Sequence, residues 1–288
     1  MKIHILDNAT VLKIKAFEFI DSPSFILKEL LENSCDAKSK NIFVYIYNYG
    51  FDCIKVIDYG LGICKNDLFL SISSFSTSKI ISYEDISCVK TYGFRGESLH
   101  LISSVCNLEI ISKVENSVNG YRLYLNKKNN YVVENFACNF GTIVSLNDIF
   151  GKNKIYRDFC FDFNVEMLKI IDVFNIIVLS NLNVNFFLYH NDKLLKKFYF
   201  ANKSEGSFEK LKLFLGDDYL KGCFYIDTVD KKKKIYGWVC INNFFSTFNS
   251  YVFLNNRFVK NNILDSSISS FYNFLVNINY LSHFCLFI

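Results

Sequence analysis

The stretch Glu29-Leu30-Leu31-Glu32-Asn33-Ser34-Cys35-Asp36 decides how this chain is read. Ser22-Pro23 opens a helix ahead of it, with Ser as the N-cap and Pro at the first helical position. Ile26, Leu27, Leu30 and Leu31 recur at helical spacing and form the buried stripe. Glu29, Asn33 and Asp36 fall at i, i+4 and i+7, on a separate polar stripe of the same helix. A carboxylate and a carboxamide one turn apart can hold a water and a metal ion. A solvated helix face gives the same pattern, so the helix alone leaves both readings open.

Two strands follow, over 42–49 and 53–57, joined by a turn containing Gly50, and the second delivers Asp58 at its end. In Asp58-Tyr59-Gly60-Leu61-Gly62 the carboxylate can accept from an exocyclic amine such as adenine's. Gly60 and Gly62 remove side chains where a ligand must approach. An ordinary turn also supplies Asp-x-Gly. The sharper signal is Gly93-Phe94-Arg95-Gly96-Glu97-Ser98-Leu99. Glycines ahead of a helix free backbone N–H groups to hold anionic oxygens. No Gly-Lys-Ser/Thr follows, so this is not a Walker A loop. Thr77-Ser78-Lys79 adds two hydroxyls and a cation, and Gly141-Thr142 opens a later strand. Glu29 is the candidate general base, a role worth about 10²–10⁴-fold. The Asn33 carbonyl oxygen suits Mg²⁺, which takes one or two protein ligands beside phosphate oxygens.

The 288 residues suffice for one large domain or two ordinary ones, and 51% hydrophobic content supports a sizeable core. A net charge of +4 permits nucleic-acid contact without arguing for it. The run 231–234, all lysine, reads as a solvated turn. Ten cysteines without C-x-x-C spacing read as reduced thiols of a cytosolic-type protein, not as a zinc site. The abundance of Phe and Tyr reads as coding bias, and the four histidines form no pattern with a nucleophile. No stretch approaches the roughly 20 apolar residues of a bilayer span, and the N-terminus has no signal-peptide pattern.

Helices are expected over 65–73, 97–104 and 165–179, strands over 108–113, 120–125, 131–136, 142–146 and 185–189, and an irregular lid-like segment over 74–96. From about residue 200 a new pattern begins. It comprises helices over 207–215 and 263–275, hairpins over 223–241 and 251–259, and a strand over 283–288. The expected domains are 1–202 and 203–288.

On these residues the sequence resembles the MutL family of DNA mismatch-repair ATPases, within the GHKL superfamily. The stretch 28–37 looks like the family's first motif and 58–63 like its second. Thr77-Ser78-Lys79-Ile80 and the 93–99 segment are similar to segments that distinguish MutL from its cousins. Gly141-Thr142, with Asp148-Ile149-Phe150 after it, resembles the last motif.

The resemblance implies an α+β fold: a Bergerat α/β sandwich binding ATP and Mg²⁺, followed by a smaller ribosomal-S5-like α/β domain, C-terminally truncated. It implies that Glu29 activates water, Asn33 binds Mg²⁺, Asp58 reads the adenine amine and Thr142 supports it. Asp36, Gly60 and Gly62 are also expected to bind ATP. Gly93, Phe94, Arg95, Gly96, Glu97, Ser98 and Leu99 hold the phosphates, while Thr77, Ser78 and Lys79 belong to the lid. It further implies an ATP-dependent pairing of two protomers, a MutS-type mismatch-recognition partner, DNA as ligand, and a cytoplasmic location, or a nuclear one in a eukaryote. Lys212, Lys221, Arg257 and Lys260 are the candidate non-specific DNA contacts, whether to single or double strands.

The chain departs from the family pattern in several places. Phe17 stands where Gly is usual, Ser22 where Arg is usual, Ser74-Phe75 where Arg-His is usual, and 152–157 lacks the usual Asn-x-Pro-Ala-Arg. A lysine segment that the family places further on is not reached by residue 288, so slow hydrolysis or a substitute lysine is expected. The alternative function is an ATP-holding scaffold without turnover. A chaperone or kinase of the same superfamily is disfavoured by the Gly-Phe-Arg-Gly-Glu segment.

Overall fold

The computed structural model describes residues 3–79, 84–85, 91–93, 96–151, 162–200, 223–230, 233–240, 251–260, 266–267, 270 and 283–287. The chain divides into two compact units, Met1–Ile177 with Val184–Tyr199, and Val178–Asn183 with Phe200–Ile288.

The first unit is built on an eight-stranded sheet. Its strands are β1 (Asn41–Tyr47), β2 (Cys53–Asp58), β3 (Asn107–Lys113), β4 (Gly120–Leu125), β5 (Tyr131–Phe136), β6 (Gly141–Asn147), β7 (Asn185–His190) and β8 (Lys193–Phe198), in the order β5-β4-β3-β6-β2-β1-β7-β8. All neighbours are antiparallel except β1 and β7. The helices are α1 (Asn8–Phe19), α2 (Pro23–Asp36), α3 (Lys65–Leu70), α4 (Ser98–Val105) and α5 (Phe163–Ser180).

The strands alternate as a half-covered sheet must. Ile42, Val44 and Ile46 of β1, Ile54 and Val56 of β2, and Leu108 and Ile110 of β3 are buried, with their neighbours partly exposed. The expected stripe of α2, Ile26, Leu27, Leu30 and Leu31, is buried. Ser22 caps α2, its Oγ accepting from Phe25 N at 3.3 Å. A second anchor comes from far along the chain. Glu166 of α5, 1% exposed, accepts from Ser24 N at 2.7 Å through Oε1.

The structure differs from the sequence-based expectation at several ends. β1 stops at Tyr47 because Asn48 and Tyr49 take φ of 46° and 58°, a tight turn before Gly50. α3 ends at Leu70 rather than at 73. α1 was not anticipated. Asp7 caps it by accepting from Thr10 N at 2.9 Å, and Phe17 stacks on Phe150 at 5.9 Å. Strand β8 was also missed. Asn191 and Asp192, at φ 47° and 64°, form a two-residue turn that folds β8 back on β7.

The second unit contains a five-stranded sheet in the order β12-β11-β13-β10-β9. The strands are β9 (Cys223–Asp230), β10 (Lys233–Cys240), β11 (Tyr251–Leu254), β12 (Arg257–Phe258) and β13 (His283–Phe287). Both expected hairpins form, and β11 runs parallel to β13. Asn255 and Asn256 turn the second hairpin with φ of 50° and 63°. The expected helix over 207–215 lies outside the described residues, as does most of the one over 263–275.

Candidate nucleotide site

The site begins where the apolar face of the large sheet turns polar. Ile54 and Val56 point into the core, and the two-residue period puts Asp58 next in that row. On β3 the row runs Leu108, Ile110, Ser112. On β6 the corresponding position is Thr142. Asp58 pairs in register with Thr142, and Thr142 with Ser112, so three polar side chains stand abreast at one end of the sheet. Their exposures are 6%, 6% and 0%, so each needs partners.

Each finds them. Asp58 Oδ1 accepts from Gly60 N at 2.9 Å, and Oδ2 from Ser34 Oγ of α2 at 3.3 Å. Ser112 Oγ lies 2.9 Å from Thr142 Oγ1 and 2.9 Å from Gly141 O, and accepts from Ile63 N at 2.8 Å. Burial pushes the Asp58 carboxyl up to about 6, while the hydrogen bonds from Gly60, Ser34 and Thr142 oppose the rise. Gly62 is required twice over. Its φ is +71°, and a β-carbon would lie 2.2 Å from the Lys113 carbonyl oxygen. The loop also docks on the end of α2 through Leu61 N to Ala37 O, 3.0 Å.

The other wall is α2 with the Gly-rich segment. Ser98, the first residue of α4, donates to Glu29 Oε2 at 2.5 Å. Lys79 Nζ donates to Asn33 Oδ1 at 3.2 Å and pairs with Asp36 Oδ2. Asp36 Oδ1 accepts from Tyr92 N at 3.1 Å. Thr77 Oγ1 accepts from Lys79 N at 3.1 Å. Gly96, at φ +66°, passes so close to Ser76 that a β-carbon would meet its backbone at 2.5 Å. Gly93 lies beside Lys79, and a β-carbon there would stand 3.7 Å from Nζ. Glu97 precedes α4, its carbonyl accepting from Leu101 N at 2.9 Å, and Leu99 is half-buried within that helix.

Helix α2 thus carries three separate contacts to the rest of the site: Glu29 to Ser98, Asn33 and Asp36 to Lys79, and Ser34 to Asp58, with Gly60 and Thr142 beside that aspartate. Ser78 is exposed next to Lys79. Phe94 and Arg95 lie outside the described residues. Lys212 and Lys221 do so too. Arg257, half-buried, and Lys260, exposed, belong to the second unit. Sequence reasoning missed Ser34, Ser39 and Ser112. Ser39 Oγ accepts from Tyr59 N at 2.9 Å and fixes the turn after Asp58. Ser112 had a legible signal, a hydroxyl at an inward phase of an alternating apolar strand.

An acid on a helix, a buried aspartate on a strand end and a Gly-rich segment before a helix are the parts a nucleotide site of the GHKL class would need. Residues 21–144 match the family described as histidine kinase-, DNA gyrase B-, and HSP90-like ATPase. Over most of its length the chain is similar to the MutL family of DNA mismatch-repair proteins. It is 31% identical to MutL of Mannheimia succiniciproducens over 97% of this chain and 45% of that protein. It is 33% identical to MutL of Buchnera aphidicola subsp. Schizaphis graminum over 96% of this chain and 48% of that one. The chain therefore spans about half the length of the curated relatives it matches. Among solved structures, the N-terminal domain of a DNA repair protein superposes with a TM-score of 0.76 at 19% identity, covering 96% of this chain and 86% of that one. The Aquifex aeolicus MutL ATPase domain complexed with ADP gives 0.66 at 21%, covering 93% and 92%. These likenesses bear out the expected fold.

Proposed function

We propose that this chain binds and hydrolyses ATP with Mg²⁺ and acts as the nucleotide-driven part of a MutL-type clamp in DNA mismatch repair. What supports the reading is that one helix, α2, carries Glu29 held by Ser98, Asn33 held by Lys79, and Ser34 bonded to the buried Asp58.

Asp58 accepts from the adenine amine, and the Thr142–Ser112 hydroxyl pair lines the same end of the sheet. Gly60 and Gly62 let the loop after β2 pack against Ala37 at the end of α2 and against Lys113 of β3, which holds Asp58 in place. The segment from Gly93 to Leu99, with the start of α4, offers N–H groups to phosphate oxygens. Glu29, held by Ser98, orients a water toward the terminal phosphorus and takes its proton. Asn33 fits a Mg²⁺ ion, because its oxygen already faces a cation, the Lys79 ammonium, and oxygen donors suit that metal. Mg²⁺ bound there would offset the charge of the phosphate oxygens.

At the level of the whole protein, nucleotide binding pairs two copies of the first unit, the second unit relays the state of the site, and DNA and a MutS-type ATPase are the partners. Arg257 and Lys260 are DNA contacts in this reading, with Lys212 and Lys221. The location is cytoplasmic, or nuclear in a eukaryotic cell. No helix among the described residues is long and apolar enough to cross a membrane.

Steady-state phosphate release tests the reading. Wild-type protein with Mg-ATP should turn over, and Glu29→Ala should lower the rate by about 10²-fold or more while still binding nucleotide. Binding without any release by the wild type would select the scaffold instead.

A further inference from the structure

A cation already stands in the site, and the chain supplies it. Lys79 Nζ contacts Asn33 Oδ1 at 3.2 Å and pairs with Asp36 Oδ2, its side chain 19% exposed and that of Asp36 9%. The second Asp36 oxygen is fixed by Tyr92 N at 3.1 Å, and the Lys79 backbone is fixed on Thr77 Oγ1. The nearby Lys28 is engaged elsewhere, 3.2 Å from Glu32 and 3.8 Å from Glu29. An amide oxygen and a carboxylate oxygen, three residues apart on one helix, thus converge on a single ammonium. Both are hard oxygen donors of the kind Mg²⁺ takes.

We propose that Asn33 and Asp36 form a cation site that the chain fills with its own Lys79 while no nucleotide is bound, and that nucleotide with Mg²⁺ displaces the ammonium. This rests on the Mg-nucleotide reading given above. An ammonium and a divalent ion on the same amide oxygen repel each other strongly in a half-buried site. Free metal therefore cannot enter alone. A nucleotide changes the balance, because its phosphates supply negative charge that can accept the departing Lys79 and accompany the incoming metal. Binding is then ordered: metal enters with nucleotide or not at all.

Mn²⁺ alone is the probe, followed as loss of the free-ion paramagnetic resonance signal on adding nucleotide-free protein. Wild type and Lys79→Arg, which keeps the charge, should leave Mn²⁺ free. Lys79→Met should gain one site, binding at least about tenfold tighter than wild type. Adding Asp36→Asn to Lys79→Met should remove the gain. Lys79→Met that is folded by circular dichroism yet binds Mn²⁺ no better than wild type overturns the proposal, as does tight Mn²⁺ binding by the wild type. A parallel titration with ADP and Mg²⁺ keeps the two levels apart. Failure of the wild type to bind ADP defeats the nucleotide reading, while the Mn²⁺ result still decides whether Lys79 fills a cation site.

Discussion

Asp58 shows how function and stability oppose each other at a single residue. Its carboxyl is raised from 3.8 to about 6 by burial, so the fold prefers the protonated form. A group whose pKa rises on folding contributes most below its unfolded value, and that contribution is lost as pH climbs through the folded value. Here the loss falls between about pH 4 and 6 and amounts to about 3 kcal/mol, at about 1.4 kcal/mol per unit. Asp58→Asn should therefore be more stable than wild type at pH 8 by about 1–3 kcal/mol, with a smaller gain at pH 5, as read from urea midpoints. Its affinity for ATP should fall, because a carboxamide is a poorer acceptor for the adenine amine. An equal gain at both pH values would exclude the buried charge as the cause.

At the scale of elements, the site depends on how α2 is held. Its first turn is fixed at Ser24 N by the Glu166 carboxylate, 142 positions away in sequence, and negative charge at a helix start is favourable. Glu166→Ala should destabilise the chain by about 1–3 kcal/mol, whereas Glu166→Gln, which retains an acceptor, should recover most of that in the same urea titration. Gly96→Ala should weaken nucleotide binding and also lower the urea midpoint, since at φ +66° its β-carbon would press on the Ser76 backbone. These elements also show what sequence can disclose. α2 was legible because its cap, stripe and polar face all lie within one short stretch. β3 was legible from alternation, and β4 to β6 as short runs rich in β-branched and aromatic residues. α1 was not, because its apolar residues hold no single face, and Phe17 stacks on Phe150, far along the chain. The Glu166 anchor was hidden for the same reason. β8 was hidden because lysines occupy much of it and only the Asn191-Asp192 turn marked it. The residues named for the site were found through short motifs. Ser34 and Ser112, which tie those motifs together, become visible only once the strands are in register.

At the scale of the whole molecule, the net charge of +4 is too small to make DNA binding strong by itself, and the expectation is a modest, non-specific affinity. Filter binding at about 50 and 200 mM salt should show a steep fall, and Arg257→Ala with Lys260→Ala should reduce the slope. A salt-independent affinity would count against that surface. Sedimentation with a non-hydrolysable ATP analogue should show pairing that is absent without nucleotide. Everything at this scale depends on whether α2, the Asp58 strand end and the Gly-rich segment enclose one ATP. The most direct test is equilibrium titration of ATP into three proteins: wild type, Glu29→Ala and Asp58→Ala. The account predicts comparable binding by wild type and Glu29→Ala, and a loss of at least about tenfold for Asp58→Ala. Wild type that does not bind, or Asp58→Ala that binds as tightly as wild type, would contradict it.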